Sequence, residues 1–250
     1  MNRGLYIAAT GMLTQRKKMN VLVNNIANAD TYGYKSDKLL TRSFEETLLE
    51  RRDALDAAGA DTQIGLLGSG VHIDEVVTTY LQGSLDQTEL ATDLAITGEG
   101  FFAVQTPNGI RYTRNGNFTI SNGNLVTAEG YTVLGTGGGA INVQNGNFTV
   151  ASNGEITVDG AAAGQLQIVR FANTDALTKE GNCYFVNTGA APAADEESTV
   201  VQGYLEVSDV NLADTMVEVI KVTRLYDTNQ RILTAIDETL QKACNEIGRV

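Results

Sequence analysis

With 250 residues, 42% of them hydrophobic, the chain is long enough to bury one large core or two ordinary ones. The net charge of −12 is uneven: residues 1–42 carry seven Lys/Arg against two acids, residues 43–208 six against 21, and residues 209–250 five against seven. Such an acidic middle repels phosphate and argues against nucleic-acid binding there; two cysteines make no disulfide framework, and no apolar run reaches membrane-spanning length.

The N-terminal segment has helical periodicity. Leu5, Met12, Met19 and Ile26 recur every seven residues, flanked by Ala8, Ala9, Leu22 and Val23 and interrupted by Gln15 and Arg16. This is a narrow apolar seam with polar residues elsewhere. The basic trio Arg16-Lys17-Lys18 reads as a solvated face, or as a partner for acids of a neighbour. Asn24, Asn25 and Asn28, with Asp30 and Gly33, end the pattern. The three asparagines fit either of two roles: local termination, or satisfying backbone groups at a buried helix end. A helix over residues 3–28 would be about 39 Å long at about 1.5 Å per residue.

Residues 36–80 form a connecting segment. Phe44 to Leu55 has helical character, with Phe44, Leu48 and Leu55 on one face, and glycines at 59, 65, 68 and 70 then break it.

The middle reads as β. Asn-Gly pairs at 108, 115, 122, 145 and 153, together with Asp159-Gly160, favour hairpin turns. Short β-prone runs lie between them, such as Phe101-Phe102-Ala103-Val104 and Leu125-Val126-Thr127. Asn115 to Ile120 recurs as Asn145 to Val150, a repeated hairpin unit. Gln165 to Phe171 alternates like a half-buried strand. Residues 190–199 read as an exposed loop.

The C-terminal segment shows the strongest pattern. Leu212, Val219, Tyr226, Leu233, Leu240 and Ile247 recur every seven residues, and Val222, Ile236 and Ala243 follow members of that series by three. Thr215 and Asn229 share the register as polar exceptions; an Asn in such a seam fixes register at some cost in stability. Asn211 and Asp214 resemble a capping box with Asp in place of Glu. A helix over 209–247 would run about 57 Å.

A helix this long and narrow needs a partner for its seam, and the N-terminal segment is the nearest one. The fold class is therefore α+β: long N- and C-terminal α-helices packing as a coiled coil, with a central, mostly antiparallel β domain. Residues 1–35 and 209–250 make a discontinuous helical domain, 36–80 a connection and 81–208 a β-rich domain. The shorter N-terminal helix leaves part of the longer one uncovered, which predicts contacts with other chains.

Catalytic chemistry finds little footing. The single histidine, His72, removes most zinc-site and triad chemistry, and its Val-His-Ile-Asp alternation reads as a strand surface. Gly98-Glu99-Gly100 lacks a third glycine and a following helix, and Gly135 to Gly139 lacks the Lys-Ser/Thr of a phosphate loop. Acids of the β region would suit a glycosidase pair, but the sequence has no Trp for sugar stacking. No cofactor or metal is expected, and the chain is read as a non-enzyme.

The most specific signal is a set of motifs. Asn24-Asn25-Ile26-Ala27-Asn28 is followed by Thr31-Tyr32-Gly33-Tyr34-Lys35. Asp93 to Val104 and Tyr112-Thr113-Arg114-Asn115-Gly116-Asn117-Phe118 form a central block. Gln202 to Asn211 leads into the last helix, which contains Arg224-Leu225-Tyr226-Asp227-Thr228-Asn229. In this order and over nearly the whole chain, the set resembles the bacterial flagellar rod and hook proteins, departing from them at Asp209 (commonly Asn) and Thr223 (often Gln). The length fits a proximal or distal rod subunit better than the longer hook subunit. The resemblance implies a structural subunit of the flagellar basal body, exported without a cleaved signal peptide by the flagellar export apparatus. It would polymerise through its terminal helices into a hollow axial shaft that transmits torque. Expected partners are further copies of itself and other rod and hook proteins, with no nucleic acid and no membrane insertion. The expected assembly residues are Leu5, Met12, Met19, Asn24, Asn25, Ile26 and Asn28 on the first helix and its exit, and Leu212, Val219, Tyr226, Asn229, Leu233, Leu240 and Ile247 on the last. Two other readings stay open: an extracellular enzyme or carbohydrate-binding β domain on a coiled-coil stalk, and a surface-fibre protein outside the flagellum.

Overall fold

The structure, a computed structural model, describes residues 3–45, 47–51, 62–144, 148–181, 183–195 and 197–247. The chain divides into two compact units. Unit 1 holds residues 1–26, 37–77 and 212–250, and unit 2 holds residues 27–36 and 78–211.

Unit 1 contains both long helices. Helix α1 spans Arg3–Ala27. Strands β1 (Asp37–Ser43) and β4 (Val71–Thr78) pair with each other, as do β2 (Thr47–Arg51) and β3 (Thr62–Leu67). Helix α2 spans Leu212–Lys242 and widens into one π turn at Ala243–Ile247. Its N-terminus follows Asn211 directly and carries Asp214 in the first turn, where a negative charge suits the helix dipole.

The expected helix over Phe44–Leu55 is not formed at Thr47–Arg51, which is a strand with antiparallel partners from Leu67 back to Thr62. Cross-strand pairing outweighs local helix preference there. Phe44 stacks on His72 instead, with ring centroids 4.9 Å apart. Arg52 and Leu55 lie outside the described residues.

Among the described residues, the regular structure of unit 2 from residue 78 to residue 211 is β apart from one 3₁₀ turn at Thr174–Ala176. In chain order its strands are β5 (Leu85–Gln87), β6 (Leu94–Thr97), β7 (Phe101–Thr106), β8 (Gly109–Thr113), β9 (Phe118–Ser121), β10 (Asn124–Thr127), β11 (Thr132–Val133), β12 (Phe148–Val150), β13 (Glu155–Val158), β14 (Ala161–Gln165), β15 (Ile168–Arg170), β16 (Leu177–Glu180), β17 (Tyr184–Asn187), β18 (Ala193–Ala194), β19 (Thr199–Gln202) and β20 (Tyr204–Glu206). The main sheet runs β16-β17-β8-β7-β11-β10-β9, with β15 and β18 joined beside β7. Strands β12-β13-β14 form a second sheet, and β6–β19 and β5–β20 form antiparallel pairs.

The run Phe101 to Val104 is continuously apolar because β7 is buried on both faces. Phe102 and Val104 enter a core with Leu94, Ile96, Phe118 and Leu125. Phe101 and Ala103 enter a second core with Tyr112, Phe171 and Phe185. The rings meet edge to face, Phe102 with Phe118 at 5.2 Å and Phe101 with Phe185 at 5.7 Å, a favoured aromatic geometry.

Asn122-Gly123 and Asp159-Gly160 make the tight turns of β9–β10 and β13–β14, all four residues at positive φ between 49° and 82°. That is the geometry such dipeptides are chosen for. The repeated segment is also visible: Phe118 and Phe148 each open the first strand of a hairpin and both reach the same core. Asn145-Gly146-Asn147 lie outside the described residues. The stretch Gln165–Phe171 is not one strand. Gln165 ends β14, and β15 covers only Ile168–Arg170, because Leu166 and Gln167 turn away to bond Gly154 and Leu134.

Candidate assembly interface

In unit 1 the two helices meet in antiparallel sense. A Cβ placed on Gly4 would lie 3.1 Å from Ile236 Cδ1, and one on Gly11 2.9 Å from Asn229 Nδ2. Farther along, Lys18 Nζ donates to Glu218 Oε2 at 2.9 Å. Carried on, this register sets Arg3, the first described residue of α1, near Asp237. The stretch 238–247 then runs past it, about 15 Å at helical rise.

On α2 the positions shielded from solvent are Thr215, Glu218, Val219, Val222, Tyr226, Asn229, Leu233, Ile236 and Ala243, and of these Val222 is fully buried. Apart from Glu218 they advance in steps of three and four from Thr215 to Ile236, with Ala243 seven residues on, the heptad spacing. On α1 the centre of the seam begins with the small residues Gly4, Ala8 and Gly11 and continues with the long polar side chains of Gln15 and Lys18. Ala8 is buried, and removing side-chain bulk here lets the helices approach closely. The large apolar residues of the expected series lie one position round the helix. Leu5 is 37% exposed, whereas Met12, Met19 and Ile26 are half-buried. Met19 joins Gln15, Arg16, Val222, Thr223 and Tyr226 around a shallow groove.

The other expected residues fall as follows. Leu212 and Leu240 are exposed, Asn24 is exposed, and Asn25 and Asn28 are buried. The side chain of Ile247 lies outside the described residues. Asn25 Nδ2 donates to Asp37 O at 2.9 Å, and Asp37 N donates to Asn25 Oδ1 at 3.1 Å. One amide thus satisfies both backbone groups at the start of β1, a local task. Asn28 O accepts from Thr31 N at 3.1 Å in the turn that ends α1.

The helices keep a second set of apolar residues in water. Leu13 and Val23 on α1, and Met216, Val217, Ile220, Leu225 and Ile232 on α2, are each 45–55% exposed. They lie off the antiparallel seam.

Unit 2 contributes a different feature, a buried charge cluster. The side chains of Lys35 and Glu206 are fully buried and that of Arg114 is 2% exposed. Lys35 Nζ donates to Glu206 Oε1 and to Leu81 O, both at 2.6 Å. Gly83 N donates to the same Oε1 at 2.9 Å. Arg114 Nη1 stands 3.5 Å from Glu206 Oε2, and its guanidinium lies 4.7 Å from the Phe101 ring centroid. Burial pulls the Lys35 ammonium below the usual lysine value, and the adjacent Glu206 carboxylate partly offsets this. Burial likewise lowers the Arg114 value against the pull of Glu206. Beside the cluster, Asp209 takes Ser36 N at 2.7 Å and Ser36 Oγ at 2.9 Å. Burial raises its carboxyl above the ordinary aspartate value despite those bonds.

Sequence reasoning passed over Lys35, Arg114 and Glu206 as sites because charges are normally solvated. Their position inside the quoted motifs was the available signal. Ala8 already flanks the heptad series, but Gly4 and Gly11 escape a pattern defined by large apolar side chains.

Three stretches of the chain match family descriptions. Residues 5–35 match the flagella basal body rod protein family, residues 95–158 the D1 domain of the flagellar hook protein FlgE/F/G, and residues 201–246 the C-terminal part of the flagellar basal body rod FlgEFG protein. Lys35, Arg114 and Glu206 come one from each. Among similar proteins, the flagellar hook-basal body complex protein FlhO of Bacillus subtilis is 35% identical over 270 aligned residues, covering all of both chains. The flagellar basal-body rod protein FlgG of Bacillus subtilis is 36% identical over 98% of this chain and 99% of its own. The flagellar basal-body rod protein FlgF of Caulobacter vibrioides is 31% identical over the full length of both. With the motifs, the heptad helices and the β unit in agreement along the whole length, the chain belongs to the flagellar basal-body rod and hook protein family.

Proposed function

We propose that this protein is a structural subunit of the flagellar basal-body rod, a non-enzyme that acts by assembly. Its terminal helices pack as a coiled coil on each other and on the same helices of neighbouring copies, and the repeated contact builds a hollow axial shaft that transmits torque. Repetition of one heterologous contact by rotation and rise produces such a helical filament.

The observation that carries the reading is the exposed apolar surface of α1 and α2. Residues such as Leu225 at 52% and Ile220 at 53% exposure stay in water on helices whose mutual seam is already formed. Apolar surface on this scale marks a protein contact. Leu5, Met12, Met19 and Ile26, with Leu212, Val219, Tyr226, Leu233 and Leu240, border that surface and the seam, Asn229 fixes their register, and the heptad series assigns Ile247 to the same contact. Asn24, Asn25 and Asn28 set where α1 ends. The partners are further copies, other rod and hook proteins, and the flagellar export apparatus that delivers the subunit. No helix is long and apolar enough to cross a membrane among the described residues.

A stalked glycosidase receives no support. Glu99 and Glu197 are both engaged by Arg170, at 2.7 and 2.6 Å, and Asp195 Oδ1 accepts from the Glu197 and Ser198 amides.

The test is location. A tagged copy should co-purify with isolated basal bodies in the rod fraction. Deleting residues 212–250 should abolish incorporation while unit 2 stays folded. Normal incorporation of that deletion would sink the proposal.

A further inference from the structure

The chain passes between its two units at four points, and three segments of unit 2 adjoin them: residues 27–36, which adjoin two, and residues 78–84 and 206–211, which adjoin one each. These segments are joined to one another by backbone bonds. Gly33 N donates to Glu206 O at 2.7 Å, Thr79 N to Ser36 O at 2.8 Å and Val207 N to Ser84 O at 2.9 Å. The buried charges bind the same three segments. Lys35 belongs to the first, its ammonium takes the Leu81 carbonyl of the second, and Glu206 of the third accepts from both Lys35 and Gly83. Asp209 closes the outer side by accepting twice from Ser36. Lys179 Nζ adds a bond to Lys35 O at 2.7 Å while lying 3.8 Å from the Tyr34 ring centroid.

The packing around this node leaves no slack. Gly33 sits at φ 68°, and a Cβ on it would fall 2.3 Å from Asn115 N. A Cβ on Gly83 would fall 2.0 Å from Val207 O. An apolar cluster tolerates sliding, whereas a buried ion pair with directional bonds holds one arrangement and is costly to break.

We infer that Lys35, Glu206 and Arg114, with Ser36–Asp209, form a clamp that makes these three segments open and close as one unit. Force arriving along any one segment is then shared by all three. In a rod subunit that force is the load the shaft carries, a consequence that rests on the proposed function. The clamping itself is a property of the free chain.

Site-resolved amide hydrogen exchange on the purified full-length chain tests it. Asp209→Ala removes direct partners of Ser36 alone. The clamp predicts exchange at least tenfold faster at Thr79, Gly83 and Val207 as well as at Ser36, with the amides of Phe102 and Val104 unchanged. Acceleration confined to Ser36, the others staying within twofold, would overturn it. Glu206→Gln should accelerate the same set further; if that variant unfolds as a whole, the Asp209→Ala result decides. The mechanical consequence is read separately. Basal bodies carrying Asp209→Ala should contain the subunit but fail at lower load than wild type, and equal load tolerance would remove that consequence. A wild-type chain absent from basal bodies would instead refute the rod reading and leave the exchange result standing.

Discussion

In the β unit, Phe102, Phe118, Leu125 and Ile156 are shut off from solvent almost completely; in the helical unit, the only fully buried apolar residues among those described are Ala8 and Val222. The exposed large apolar residues divide the other way, with 16 of the 19 found among the described residues in the helical unit and only Leu81, Leu90 and Ile110 in the β unit. One unit closes its core within the chain. The other leaves its hydrophobic surface to be covered from outside. The same kind of substitution should therefore act through folding in one unit and through assembly in the other.

The largest effects should fall in the β unit. Phe102→Ala removes a ring from the centre of the sheet and should cost about 3–5 kcal/mol, read by chemical denaturation. Glu206→Gln leaves Lys35 and Arg114 without a buried counter-charge and should cost a similar amount, about 3–5 kcal/mol. A loss below about 1 kcal/mol for either would show that the unit is not closed as described.

A pair of glycines sharpens the contrast. A Cβ on Gly116 would come 1.6 Å from Leu94 O, so Gly116→Ala must move backbone and should cost about 3 kcal/mol. Gly68 in the helical unit has nothing within 4 Å of such a Cβ, and Gly68→Ala should stay within about 0.5 kcal/mol. Thermal melts of the two variants compare them directly.

Smaller effects belong to the helix surface. Lys18 and Glu218 are each 39% exposed, so Lys18→Ala should cost the free chain less than about 1 kcal/mol. Lys18 holds the Glu218 carboxyl below the ordinary glutamate value. That contribution is present above the unfolded value of 4.5 and lost as pH falls through the depressed folded value. A double-mutant cycle at pH 7 and pH 3 should show weaker coupling at the lower pH.

The cysteines give a chemical version of the comparison. Cys183, in the β unit, is buried, and burial pushes its thiol up from 9.0 to about 11. A raised thiol value stabilises the fold fully below pH 9.0 and loses that effect as pH rises through about 11. Cys244, in the helical unit, is exposed. Alkylation at pH 8.5 should modify Cys244 at least a hundredfold faster than Cys183, and equal rates would contradict the burial of the β unit.

Much of this division can be read from the residues themselves. The heptad series from Leu212 onward marks α2 and most of its shielded face, since large apolar residues at seven-residue intervals have few other uses. Asn122-Gly123 and Asp159-Gly160 mark their turns because few dipeptides tolerate two positive φ angles. Other parts are hidden for physical reasons. The seam of α1 runs through Gly4, Ala8 and Gly11, where the absence of a side chain makes the contact, so a search for large apolar residues lands on Leu5 and Met12 beside it. Most of β1 and the four central residues of β4 are exposed on both faces, which erases the alternation that would announce them. Lys35, Arg114 and Glu206 look like surface charges until the chain brings residues far apart in sequence together.

The most direct measurement replaces exposed apolar residues of α2 that touch neither core nor seam. Ile220→Ser with Ile232→Ser should leave the free chain's melting transition essentially unchanged, because both side chains are about half exposed, at 53% and 45%, and Ser and Ile have similar helix propensity. The same double variant should be lost from isolated basal bodies and leave cells non-motile. Full incorporation and normal swimming would contradict the assignment of this face to assembly.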